Sequence, residues 1–125
     1  MTTVELNSFT CIEMAVFDAS TLTGTFQGMN LAAQQPVGSN IGFSDDIKVL
    51  KIYNDGSTGV TISYDNVKSD DYLPSKGTMI IDLQANHRNN SSYSSGTLNG
   101  RKGQIVYGKG TASSAGLNIY ISGYR

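Results

Sequence analysis

The stretch Ile47-Lys48-Val49-Leu50-Lys51-Ile52-Tyr53, followed by Asn54-Asp55-Gly56-Ser57-Thr58-Gly59 and Val60-Thr61-Ile62-Ser63-Tyr64, decides the fold class. The first run is almost continuously apolar with Lys at its margins, as expected of a strand with two buried faces. The last alternates strictly, placing Val60, Ile62 and Tyr64 on one face and hydroxyl side chains on the other, which is a half-buried strand. Asp55-Gly56 between them suits a tight turn, because glycine supplies the left-handed backbone that such turns use. The three pieces together predict a β-hairpin.

Working outward toward the C-terminus, the pattern repeats. Asp65 to Lys76 reads as a polar connection ending in Tyr72-Leu73-Pro74. Thr78 to Leu83 then alternates, with Met79, Ile81 and Leu83 on one face. Residues 86–103 form a long polar segment rich in Asn and Ser, read as an exposed, mobile connection. Ile105-Val106-Tyr107 makes a short strand. Leu117-Asn118-Ile119-Tyr120-Ile121-Ser122 alternates to the end, turning Leu117, Ile119 and Ile121 to the core. Five strands are thus expected, at about 47–54, 59–65, 77–84, 104–108 and 117–123.

Toward the N-terminus the texture changes. Turn formers interrupt the apolar residues of 1–46, namely Gly24, Gly28, Gln34-Gln35 and Pro36-Val37-Gly38-Ser39-Asn40. Phe9 to Phe17 suggests one strand and Thr23 to Phe26 a shorter one. Residues 1–46 are therefore read as an N-terminal arm with edge strands, and 47–125 as the core of one domain. Strands separated by turns, with no helical period between them, predict an all-β protein. The expected architecture is a single antiparallel β-sandwich, jelly-roll-like or of a related topology, with an extended N-terminal arm.

Composition agrees with that class. Among 125 residues, 14 are Gly and only 2 are Pro, and Gly and Thr disfavour helices. A chain of this length buries roughly two-thirds of its extended surface, enough for one core. The formal net charge is −1 and no basic stripe occurs, which argues against a nucleic-acid partner. No apolar run is long enough for a membrane helix, and Met1-Thr2-Thr3-Val4-Glu5-Leu6 lacks the basic and apolar regions of a signal peptide. The single Cys11 excludes an intramolecular disulfide and fits synthesis in a reducing cytoplasm.

No constellation of residues announces chemistry. A catalytic site needs tunable groups held together. The one His, His87, sits in an Asn/Ser-rich loop, and Cys11 lies far away in the arm. Asp45-Asp46 and Asp70-Asp71 are sequence neighbours whose side chains diverge in extended chain, so they read as turn residues bonding their own backbone. Asp65-Asn66 with Asp70-Asp71 lacks the spaced ligand pattern of a calcium loop. One Cys and one His cannot make a zinc site. Gly100-Arg101-Lys102-Gly103 and Gly108-Lys109-Gly110-Thr111 have neither the spacing nor the strand-to-helix context of a phosphate cradle. The expectation is a protein that is not an enzyme and needs no cofactor or metal.

Contact residues are more legible. Phe9, Met14, Phe17, Leu22 and Phe26 are candidate anchors by which the arm docks on a neighbour, each worth roughly 1.5–3 kcal/mol if fully buried. Seven Tyr and no Trp occur, and Tyr120 and Tyr124 fall on the face opposite Ile119 and Ile121. Tyrosine combines contact area with a polar handle, which suits a protein or glycan interface.

Several stretches together resemble small structural proteins of tailed bacteriophage virions. They are Phe17-Asp18-Ala19-Ser20-Thr21-Leu22-Thr23-Gly24-Thr25-Phe26-Gln27, then Ile47 to Asp55, Val60 to Asp65, Asp70-Asp71-Tyr72-Leu73-Pro74 and Lys109-Gly110-Thr111. The order is preserved from about residue 16 to the C-terminus. Ile119-Tyr120-Ile121-Ser122-Gly123-Tyr124-Arg125 departs from that pattern, whose last strand is more aliphatic. The resemblance implies a β-sandwich present in many copies, without a cofactor; whether it is a capsid decoration, neck or tail component is not implied by it. Its partners would be further copies of itself and other virion proteins, with synthesis in the bacterial host cytoplasm and residence in the virion. The alternative reading is a carbohydrate-binding module or adhesin, with a glycan as ligand.

Overall fold

Strand β1 spans Cys11–Asp18, β2 Gln27–Gly28, β3 Val49–Asn54 and β4 Val60–Ser63. After them come β5 at Asp71–Leu73, β6 at Thr78–Asp82, β7 at Tyr107–Lys109 and β8 at Asn118–Tyr124. The computed structural model describes residues 11–31, 42–83 and 98–125. The strands form two antiparallel four-stranded sheets, ordered β1-β8-β3-β6 and β2-β7-β4-β5. With the chain passing back and forth between the sheets, this is the strand order of an eight-stranded jelly roll. The protein is an all-β sandwich, as its alternating patterns imply.

The core lies between the sheets. Along β3, Leu50, Ile52 and Asn54 are buried while Val49, Lys51 and Tyr53 are half-buried on the outside. One face of this strand is therefore closed, not both. Its inward residues meet Ile119 and Ile121 of β8 and Val60 and Ile62 of β4 in one cluster, which Met79, Ile81 and Leu83 flank.

The expected hairpin of β3 and β4 does not form. β3 pairs with β6 and β8, whereas β4 pairs with β5 and β7, so residues 54–59 arch from one sheet to the other. Asn54 holds the arch. Its buried amide donates to the carbonyls of Thr58 at 2.9 Å, Leu73 at 3.3 Å and Pro74 at 3.3 Å, while its Oδ1 accepts from the Gly56 N–H at 2.9 Å. Glycine is required at 56 for closeness rather than for a left-handed backbone. A Cβ there would stand 2.9 Å from Asn54 Oδ1 and 3.2 Å from Ala19 Cβ.

The division at residue 46 does not describe the core. Phe17, Leu22, Met29 and Phe43 are buried in the same cluster as Leu50 and Ile121. β1 runs beside β8 from Cys11 opposite Tyr124 to Asp18 opposite Asn118, with one irregularity between Cys11 and Glu13. The edge-strand half of the expectation agrees with the structure, since β1 and β2 each end a sheet. The interrupted texture has a local cause: the chain changes sheet twice within this stretch. Asp18 caps a single 3-10 turn at Ala19–Thr21, accepting from Ser20 N–H at 2.9 Å. Thr23 does not open a strand, because its Oγ1 accepts from the Thr25 N–H at 3.2 Å in a local turn. Buried Asn30 then fastens the segment, its Oδ1 accepting from Val106 N–H at 2.9 Å.

β5 falls inside the supposed polar connection. Two of its three residues are exposed, so no apolar alternation marked it. The expectations for residues 86–97, including His87, lie outside the described residues.

Candidate functional site

The outer face of the β1-β8-β3-β6 sheet gathers the outward residues of four strands. Register sets them in rows: Val16, Tyr120, Tyr53 and Thr78; then Met14, Ser122, Lys51 and Ile80; then Tyr124, Val49 and Asp82. Alternation puts them all on one side of the sheet. Ile80 is 66% exposed and Met14 42% exposed, although both are apolar. Between them a shallow trough of ≈ 520 Å³ is lined by Met14, Lys51, Tyr53, Thr78, Ile80, Tyr120, Ser122 and Tyr124.

Two tyrosines shape the trough. The rings of Tyr53 and Tyr120 stack with centroids 6.1 Å apart and planes inclined by 13°. The Tyr53 hydroxyl donates to Asp55 Oδ1 at 3.1 Å, and Lys76 Nζ donates to the same oxygen at 2.9 Å. The bond to Asp55, followed by burial, holds the Tyr53 phenol above its usual pKa. Lys76, then Tyr53, holds the Asp55 carboxyl below its own. The stack is therefore tethered at its Tyr53 end, whose phenol stays neutral at ordinary pH. Such a surface can bind by contact area and hydrogen bonding.

The sequence-derived contact residues separate into three groups. Met14, Tyr120 and Tyr124 come together on this face. Phe17 and Leu22, at 2% and 3% exposure, are core residues and cannot anchor an outside partner. Phe26 is half-buried elsewhere, with the Lys109 ammonium 4.5 Å from its ring centroid. Phe9 lies outside the described residues. Tyr53, Lys51 and Ile80 were missed. Placing Met79 and Ile81 inward already sent Ile80 outward, so the signal for it was in the alternation.

The acidic residues are engaged in hydrogen bonds, three of them to backbone N–H groups. Asp65 accepts from Val67 N–H at 2.9 Å and Lys68 N–H at 3.0 Å, and these bonds push its carboxyl well below the usual range. Asp70 accepts from the Tyr64 N–H at 2.9 Å, Asp71 from the Tyr64 hydroxyl at 2.8 Å, and Asp45 from the Asp46 N–H at 2.7 Å. Burial, then the bond to Asp71, pushes the Tyr64 phenol far upward. Among the described residues, no three His, Cys, Asp or Glu side chains converge as a metal site. Gly108 is a packing glycine in β7, where a Cβ would stand 2.5 Å from Met29 Sδ.

Fold and surface together define a jelly-roll sandwich with one open face of apolar and tyrosine side chains. Compared with family models, with curated proteins and with solved structures, the chain finds no match in any of the three.

Proposed function

We propose that this chain is a non-enzymatic structural protein of a phage virion, a capsid decoration, neck or tail component acting through protein–protein assembly. The observation that carries the assembly reading is the outer face of the β1-β8-β3-β6 sheet, where Ile80 and Met14 stand exposed beside a stacked tyrosine pair. Apolar side chains gathered on one exposed face mark an interaction site more often than an ordinary wet surface. The virion setting is supported by the sequence resemblance running from residue 16 onward, and a jelly roll is an architecture that capsid proteins use. Because lectins use it too, the fold alone does not choose between them.

Density-gradient purification of particles from cells in which the gene is expressed from its own genome tests the proposal. The chain bands with complete particles if the proposal holds. A chain recovered only in the soluble fraction overturns it. The trough with its tyrosines and Lys51 favours glycan binding as the second reading. A glycan array probed with the isolated protein would reveal that activity.

A further inference from the structure

We propose that β6 is the contact between copies of this chain: it pairs antiparallel with β6 of a second copy about a two-fold axis at Ile80. The proposal rests on the assembly reading and names its first partner.

Each sheet ends in two edge strands, and an exposed edge offers unpaired N–H and C=O groups to any extended segment. Three of the four edges here carry a guard. β1 is irregular between Cys11 and Glu13 and bears a carboxylate at each end of its regular run, Glu13 and Asp18. β2 is two residues long. β5 is three residues long, begins at Asp71 and is followed by Pro74. β6, Thr78-Met79-Ile80-Ile81-Asp82, has no proline, no lysine and no bulge, and its one charge sits at its end. Among the described residues, no strand lies beyond it.

The backbone parity of β6 is fixed by two bonds. The Asn54 N–H donates to the Gly77 carbonyl at 2.9 Å, and the Leu83 N–H donates to the Lys48 carbonyl at 2.7 Å. Antiparallel ladders alternate, so Met79 and Ile81 also turn their backbone groups to β3. Thr78 and Ile80 turn theirs away from β3, to the edge on which no described strand lies. An edge of this kind takes a strand as its partner, because only a strand matches its row of donors and acceptors.

The side chains select a second copy as that strand. In a two-fold antiparallel pairing centred on residue 80, Ile80 stands opposite Ile80 of the second copy and exchanges both backbone hydrogen bonds with it. Thr78 then stands opposite Asp82 of the second copy. The two Asp82 carboxylates lie at opposite ends of the paired strands, so no like charges meet. Ile80, 66% exposed alone, gains an apolar cross-strand neighbour. The pairing joins two sheets into one of eight strands, with both tyrosine troughs on the same side.

Sedimentation velocity of the full chain over a concentration series, with Ile80→Lys and Ile80→Glu variants, tests this. The unmodified chain should dimerise. Each variant alone should stay monomeric, since like charges would face across the axis, and should melt where the native chain melts at dilutions that keep it monomeric. An equimolar mixture should regain the dimer and lose it again in high salt. A monomeric wild-type chain, variants that dimerise as it does, or a mixture that fails to recover each overturn the proposal. Amide exchange in the unmodified chain gives a check that needs no variant. The Ile80 N–H should gain protection as concentration rises, while Met79 and Ile81 are protected throughout; an Ile80 amide that stays fast in the dimer overturns it. Particle banding reads the assembly proposal separately. A monomeric chain that still bands with particles leaves that proposal standing, and a β6 dimer that never bands sinks it alone.

Discussion

Tyr53 and Tyr120 face each other across the β3–β8 ladder, their rings 6.1 Å apart and 13° from parallel, on the open side of the sheet. Cross-strand aromatic pairs of this kind contribute about 0.5–1.5 kcal/mol beyond their area. A double-mutant cycle with Tyr53→Ala and Tyr120→Ala, read by denaturant unfolding, should return a coupling in that range. A coupling near zero would show that the stack merely lies on the surface and does not organise it.

Asn54 should matter far more to stability than either tyrosine. Its side chain satisfies three carbonyls and one N–H at the arch, all buried or partly so. Asn54→Ala removes that partner from all four groups, of which the Pro74 carbonyl keeps the Gly77 N–H, and burying unpaired polar groups costs about 1–3 kcal/mol each before relaxation or water entry. A loss on the order of 3 kcal/mol in urea unfolding is expected. A loss within the range of surface substitutions would refute the clamp.

The Asp65 turn gives a pH dependence with a definite sign. Hydrogen bonds from Val67 and Lys68 hold its folded pKa below the ordinary 3.8. The carboxylate therefore stabilises the fold above that value, and the contribution is lost as pH falls toward the folded pKa. The melting-temperature gap between the native chain and Asp65→Asn should be widest near neutral pH and close in acid. Tyr64 acts in the opposite direction. Its phenol is held neutral well above the ordinary 10.0, so the stability it brings is complete below that value and drains away at higher pH. A gap for Asp65→Asn that widens in acid would contradict the assignment.

Removing residues 1–40 should abolish folding rather than merely assembly. The deletion takes away β1, which borders β8 along its length, together with buried Phe17, Leu22 and Met29. Phe17→Ala alone should cost about 3–5 kcal/mol. A truncated chain that still unfolds cooperatively would restore the view that this stretch is an arm.

What could be read from the residues, and what could not, follows one physical line. Alternation reports which face of a strand is buried, so Val60, Ile62, Ile119 and Ile121 were placed correctly. It does not report which strand lies alongside, because the pattern is the same for a hairpin and for an arch between sheets. That is why β3 and β4 were paired and are not. Short edge strands such as β5, with two of three side chains in water and only Leu73 buried, carry too short an apolar signature to read. Phe17 and Leu22 looked like detachable anchors because turns surround them, yet turns are also what a chain needs to cross from sheet to sheet. Tyr120 and Tyr124 were legible as surface residues by their parity. The trough they border was not, since it exists only once β1, β3 and β6 supply Met14, Lys51, Tyr53 and Ile80.

The central claim is that the tyrosine-lined face binds a neighbour in a virion, and the ratio of this chain to the major coat protein in purified particles tests it most directly. Native particles should contain the chain at a fixed ratio. Particles assembled with a Met14→Glu variant, whose exposed position leaves the melting temperature close to that of the native chain, should contain little or none. Native particles without the chain, or variant particles carrying it at the native ratio, would contradict the account.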